Sequence, residues 1–282
     1  MGSHSEDRKN SNILKPLLKI CCFAAAAAVL AAGIYFTSFF VTAGNQNGKV
    51  ESARKIFNSK DLSKSEKFAE LKKQNADFSA WLKFEGGSVD NPVYQSEKTE
   101  FYSNHDMAGE KSRYGALRFS KSEDISLYSK DKNTVIFGNN VNDGAMFGTL
   151  KNFKNTGFYE KNHIVTLTTA DSEYKYYAFA VCVFDSGSNE INFEISDFDE
   201  DTFAAYKNKV LERSLIKTGV KLNSGDRFLT LITDLDDFEG AKLAVVLKRV
   251  NDAQIKEYDS VKVTVNANAI YPEKWYKSHT GG

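Results

Sequence analysis

Seven short runs of β-branched and aromatic residues, at 114–119, 133–138, 164–169, 174–184, 228–233, 243–250 and 261–265, constrain the fold of this chain more than any other feature. Strands this short, separated by polar turn-forming stretches, bury one face each and close into a largely antiparallel barrel or sandwich. One segment breaks the pattern. Asp199 is placed to cap a helix on which Phe203, Tyr206, Val210, Leu211 and Leu215 share a face, with Gly219 as its stop. Upstream, Ile56, Phe57, Phe68, Leu71, Phe78 and Trp81 recur at mostly helical intervals between residues 51 and 84, which predicts one or two amphipathic helices leaning on the domain. Gly86-Gly87 and Asn91-Pro92 are the signals that end them.

Residues 20–41, ICCFAAAAAVLAAGIYFTSFFV, carry no charge. About 20 apolar residues at roughly 1.5 Å rise span a bilayer core of about 30 Å, so the run predicts a membrane helix. Arg8, Lys9, Lys15 and Lys19 precede it and the next charge is Lys49, a bias that puts the N-terminus in the cytoplasm and the bulk of the chain outside. A cleaved signal peptide is the competing reading. The organisation expected is a cytoplasmic N-terminus at 1–19, a signal-anchor at 20–41, a Gly- and Asn-rich spacer at 42–60, one domain at 61–266 and a tail at 267–282 packed back on it. The expected location is the plasma membrane, crossed once.

Lysine plus arginine and aspartate plus glutamate both number 37, so no basic field invites nucleic acid. Of three cysteines, Cys21 and Cys22 open the apolar run, leaving Cys182 alone beyond it with no partner for a disulfide. In its strand-like run Cys182 reads as a buried thiol. No phosphate loop, metal-finger spacing or dinucleotide fingerprint occurs, and no cofactor is expected.

Several ordered motifs between residues 65 and 250 resemble class B sortases. NADFSAWL at 75–82 is similar to the family's Asn-x-Asp-x-x-x-Trp entry to its first strand, NPVYQ at 91–95 to its Pro-Val-x-Gln step, and GALRF at 115–119 to the Gly-x-x-Phe strand that follows. FGNNVNDGAMF at 137–147 matches Tyr-Gly-His-Asn-Met-x-Asp-Gly-x-Met-Phe, and TLITD at 230–234 matches Thr-Leu-x-Thr-Cys. The resemblance implies a mainly β fold: an eight-stranded barrel with N-terminal helices and a long helix between strands six and seven. It also implies a transpeptidase of the Gram-positive cell wall, which cleaves a sorting signal with Cys, His and Arg.

This chain departs at those three positions, with Asp234 for the Cys, Asn139 for the His and Lys242 for the Arg. A thiolate attacks and then leaves; a carboxylate yields only a mixed anhydride. An amide has no pKa near neutrality, and an ammonium lacks the planar two-point guanidinium fork. The reading is a catalytically inactive sortase scaffold whose groove, with Thr230, Ile232, Thr233 and Asn140 as candidates, binds a sorting-signal or pilin peptide, or which docks an active sortase. Two alternatives stand beside it: Asp-based chemistry, and an active enzyme inactivated by engineered substitutions. Asp234, Asp236, Asp237 and Glu239 are weak candidates for Ca²⁺, with a solvated acidic loop as the plainer reading.

Overall fold

A computed structural model describes residues 25, 27–30, 32–33, 48–98, 100–120, 132–195 and 197–280. The chain divides into residues 1–48 and a compact unit, Lys49–Gly282. Among the described residues no helix is long and apolar enough to cross a membrane; most of the apolar run at 20–41 lies outside them.

The compact unit opens with α1 (residues 49–57) and α2 (Lys64–Gln74), followed by β1 (Phe78–Phe84) and β2 (Asp90–Tyr94). The spacer expected to reach residue 60 therefore ends earlier, because α1 sends Val50 and Ala53 into the core. Helix α2 starts where Ser63 and Glu66 cap each other, and buries Phe68 and Leu71. Helical spacing also misleads at Phe78 and Trp81, which lie on a strand. Phe78, Ala80, Leu82 and Phe84 alternate toward the interior, while Trp81 points the other way and is buried as well, stacked on Phe57 of α1 at 4.3 Å. Burial of both faces makes a strand mimic an i,i+3 pair. The Trp81 indole N–H donates to Asp90 Oδ1 at 2.6 Å. Burying a side chain this large contributes about 4–6 kcal/mol before the entropy of ordering is subtracted.

β3 (Leu117–Phe119), β4 (Asn133–Phe137), α3 (Thr156–Asn162), β5 (Ile164–Thr169), β6 (Glu173–Asp185), α4 (Glu200–Arg213), β7 (Ile216–Lys217), β8 (Phe228–Asp234) and β9 (Ala241–Val250) follow. Eight strands close a barrel in the order β1-β2-β3-β4-β8-β9-β6-β5, the architecture expected. Helix α4 lies between the sixth and seventh barrel strands. Two neighbouring pairs, β2 with β3 and β4 with β8, are parallel, which requires long crossovers rather than hairpins. That is why the β2–β3 loop and the β6–α4 connection run over the barrel beside the ends of β4 and β8.

The barrel has two apolar faces. Its interior is filled from the strands' inward positions, such as Ile136, Leu229, Leu231, Val245 and Leu247. The outer face of β4, β8, β9 and β6 packs Val135, Ile232, Ala244 and Val246 beneath Phe203, Tyr206 and Val210 of α4. Asp199 caps α4 as expected, through Thr202. The helix stops at Arg213, well before Gly219, because Leu215 and Ile216 are drawn into strand pairing: the Leu215 N–H donates to Val181 O and Ile216 pairs with Val265. Leu211, expected on the buried face, is 45% exposed.

α5 (Asp252–Asp259), β10 (Thr264–Val265) and α6 (Glu273–Thr280) complete the unit. The strand expected at 261–265 shrinks to the two residues that find β7 as a partner. The tail packs back, with the Ile270 N–H donating to Glu212 O and Tyr271 and Trp275 lying against the core.

Candidate functional site

Strand pairing brings the three divergent positions to one end of the barrel. β4 and β8 run in parallel with Phe137 beside Ile232, and the Gly138 N–H donates to Ile232 O at 3.1 Å. Two residues further along, Asn139 leaves β4 at the level where Asp234 ends β8. Across the antiparallel β8–β9 pair, Asp234 sits directly opposite Lys242. Both share the outer face with Ile232 and Ala244, since side chains alternate along a strand. Glycine at 138 is required here: a Cβ would fall 2.5 Å from Leu117 and 2.6 Å from Phe147.

Asp234 and Lys242 form an ion pair of 2.5 Å, with side chains 64% and 26% exposed. The Asn139 amide is committed elsewhere. Its Nδ2 donates to the carbonyls of Ser103 (2.7 Å) and Arg113 (3.2 Å) in the β2–β3 loop, and its Oδ1 accepts from Arg118 at 3.3 Å. What stands at this end is therefore a carboxylate–ammonium pair beside an amide used as a loop clamp. The amide carries no proton that titrates near neutrality, and neither arrangement contains a thiol.

Other titratable candidates do not replace them. Cys182 is fully buried on β6, its thiol directed at Val210 O at 3.4 Å, and burial pushes that thiol well above the usual range. With Cys21 and Cys22 changed to serine, an aromatic disulfide reagent at about pH 8 is expected to leave Cys182 unlabelled until denaturant is added; labelling of the native protein would show that this thiol reaches solvent. His105 stacks on Phe101 at 4.0 Å. His163 bridges Tyr159 O and Asp259, tying α3 to α5. Among the described residues no three His, Cys, Asp or Glu side chains converge as metal ligands, those of Asp234, Asp236, Asp237 and Glu239 included.

Lys242 also forms part of the wall of a cavity of about 330 Å³ on the outer face. Phe137, Phe184, Ile191, Phe193 and Ile232 supply apolar lining; Asp185, Ser188, Asn189, Asn192 and Glu194 supply polar groups. Its cover is the β6–α4 connection, fastened to β4 by Asn133. That buried amide donates to Phe193 O (3.0 Å) and Ile195 O (2.9 Å), while its oxygen accepts from the Thr230 hydroxyl at 2.8 Å. Ser120 adds a bond to Glu194.

Of the four residues expected to line a groove, Ile232 does. Thr230 and Thr233 do not: they are 0% and 2% exposed. Thr230 lies under the cover and serves Asn133, and Thr233, one position out of phase with Ile232, takes the opposite face. Asn140 pairs with Met146 across the loop after β4, its Oδ1 buried without a partner. The cavity's aromatic wall was missed by motif reading. The alternation of Ile191, Phe193 and Ile195 and the polar Asn133 opening an apolar run were the available signals.

An eight-stranded barrel in this strand order, with its helix between the sixth and seventh strands and its divergent positions at the ends of β4 and β8, is a sortase-type barrel. No family model matches the sequence. Sortase B of Listeria monocytogenes is 29% identical over 184 residues, 64% of this chain and 73% of that protein. The structure of Clostridium perfringens sortase B is 32% identical, with a TM-score of 0.59 over 65% of this chain and 99% of its own. A Staphylococcus aureus sortase B–substrate complex superposes with a TM-score of 0.67 at 22% identity, covering 75% of this chain and 99% of that one, a likeness of fold. The chain belongs to the sortase B family, whose members are transpeptidases.

Proposed function

We propose that this protein is a non-catalytic sortase B relative, anchored by residues 20–41 at the outer face of a Gram-positive cell, whose cavity holds an extended peptide of the sorting-signal or pilin type. One observation supports the reading: beside a cavity on the sortase-type barrel, Asp234 and Lys242, which the motifs align with the family's thiol and guanidinium, form an ion pair. Extended peptides are bound through main-chain bonds and side-chain pockets without chemistry. That a protein of this fold, S. aureus sortase B, forms a complex with its substrate supports a guest of the same kind here.

Asp-based catalysis fits less well, because Asp234 lies 64% exposed and ion-paired rather than in a closed, dry cleft. With the full-length protein in detergent, titration of a fluorescent sorting-signal peptide is expected to saturate with a Kd at or below about 1 mM, a binding free energy near −4 kcal/mol. A scrambled peptide of the same composition is expected to bind more weakly. Equal, non-saturating signals from both would sink the peptide reading and leave docking of an active sortase as the role to test.

A further inference from the structure

The C-terminal helix reaches the cavity from outside the barrel. Lys274 of α6 places its Nζ 3.0 Å from Asp185 Oδ2 and 3.3 Å from Glu239 O. Asp185 ends β6 and lines the cavity; Glu239 lies in the β8–β9 turn that joins Asp234 to Lys242. Those two loops are stitched where Lys274 meets them, the Ser186 N–H and hydroxyl both donating to Gly240 O and the Gly187 N–H to Asp185 Oδ1. The Gly187 N–H, and after it the Lys274 ammonium, hold the Asp185 carboxyl below the usual carboxylate range against the effect of burial.

We infer that α6 is a strap over the cavity mouth and that Lys274 is its positioning residue, setting how readily a bound peptide leaves by clamping Asp185 and Glu239 together. The inference rests on the peptide reading above for its guest. The geometry explains why one side chain suffices. Asp185 is 8% exposed, so without Lys274 its carboxylate keeps the Gly187 N–H but lacks a cation, and drawing water to it loosens residues 185–189. Lys274 itself is half exposed, so its removal leaves no void in the core.

The test uses the full-length protein, Lys274→Ala and Lys274→Arg. In Lys274→Ala the Ser186 and Gly187 amides are expected to exchange with deuterium faster while the β6–β9 core amides keep their rates. Dissociation of a sorting-signal peptide should accelerate about tenfold. Lys274→Arg, which keeps the charge, should restore both. Unchanged exchange at Ser186 and Gly187 would overturn the strap whatever the peptide does. Faster exchange with an unchanged peptide off-rate would overturn its control of release. Faster exchange in a protein that binds no peptide at all would instead refute the peptide reading and leave the strap standing as a clamp on an unfilled cavity.

Discussion

Mixed with a sorting-signal peptide and an amine acceptor, the full-length protein is expected to release no cleaved product, a deficit on the order of 10⁶ against a thiol-bearing sortase. The magnitude follows from how such groups act: in subtilisin, loss of the nucleophile or the base alone costs about as much as loss of the whole triad, so partial repair gains little. Asp234→Cys alone is therefore expected to stay silent, because Asn139 can neither take nor return a proton. Only Asp234→Cys together with Asn139→His and Lys242→Arg is expected to restore cleavage. Even that variant gives up the bonds from Asn139 to the Ser103 and Arg113 carbonyls, which loosens the loop beside the rebuilt base. Mass spectrometry of the wild-type chain after exposure to peptide decides the point, since an acyl adduct on Asp234 would overturn the non-catalytic reading.

The second large effect concerns stability. Lys248 of β9 is 2% exposed, with its ammonium 2.9 Å from Asp226 and 2.7 Å from the Lys221 carbonyl. Lys248→Met is expected to destabilise the domain by about 3–5 kcal/mol, because it strands the Asp226 carboxylate, 11% exposed, away from water. Lys248→Met with Asp226→Leu should recover most of that loss, since the cost lies in the uncompensated charge more than in the missing attraction. Urea unfolding followed by circular dichroism measures both. A single variant within about 1 kcal/mol of wild type would mean that solvent reaches Asp226 and that the pair contributes no more than a surface bridge.

Legibility from sequence varied with how local the deciding physics was. Strands 164–169 and 228–233 are legible almost to the residue because each is a short run of β-branched and apolar residues set between turn-forming stretches. Positions 139, 234 and 242 stand out in the sequence because ordered motifs on either side hold them in frame. The strand at Phe78–Phe84 was read as helix, since its second face is covered by α1, which lies far from it in the spacing pattern. Thr230 and Thr233 were assigned to the groove on proximity to Asp234, whereas strand alternation and the cover over Thr230 bury both.

The sequence by itself determined the barrel class and the family, because identity and spacing of side chains suffice for each, and it set Asp234, Asn139 and Lys242 at the positions on which the non-catalytic reading rests. Tertiary structure alone decided what the replacements do. Strand register makes Asp234 and Lys242 an ion pair; the long crossover brings carbonyls to Asn139; and a helix from the far end of the compact unit pairs Lys274 with Asp185 of the cavity wall. Each depends on which residues register and crossover bring together in space, a quantity that no periodicity encodes.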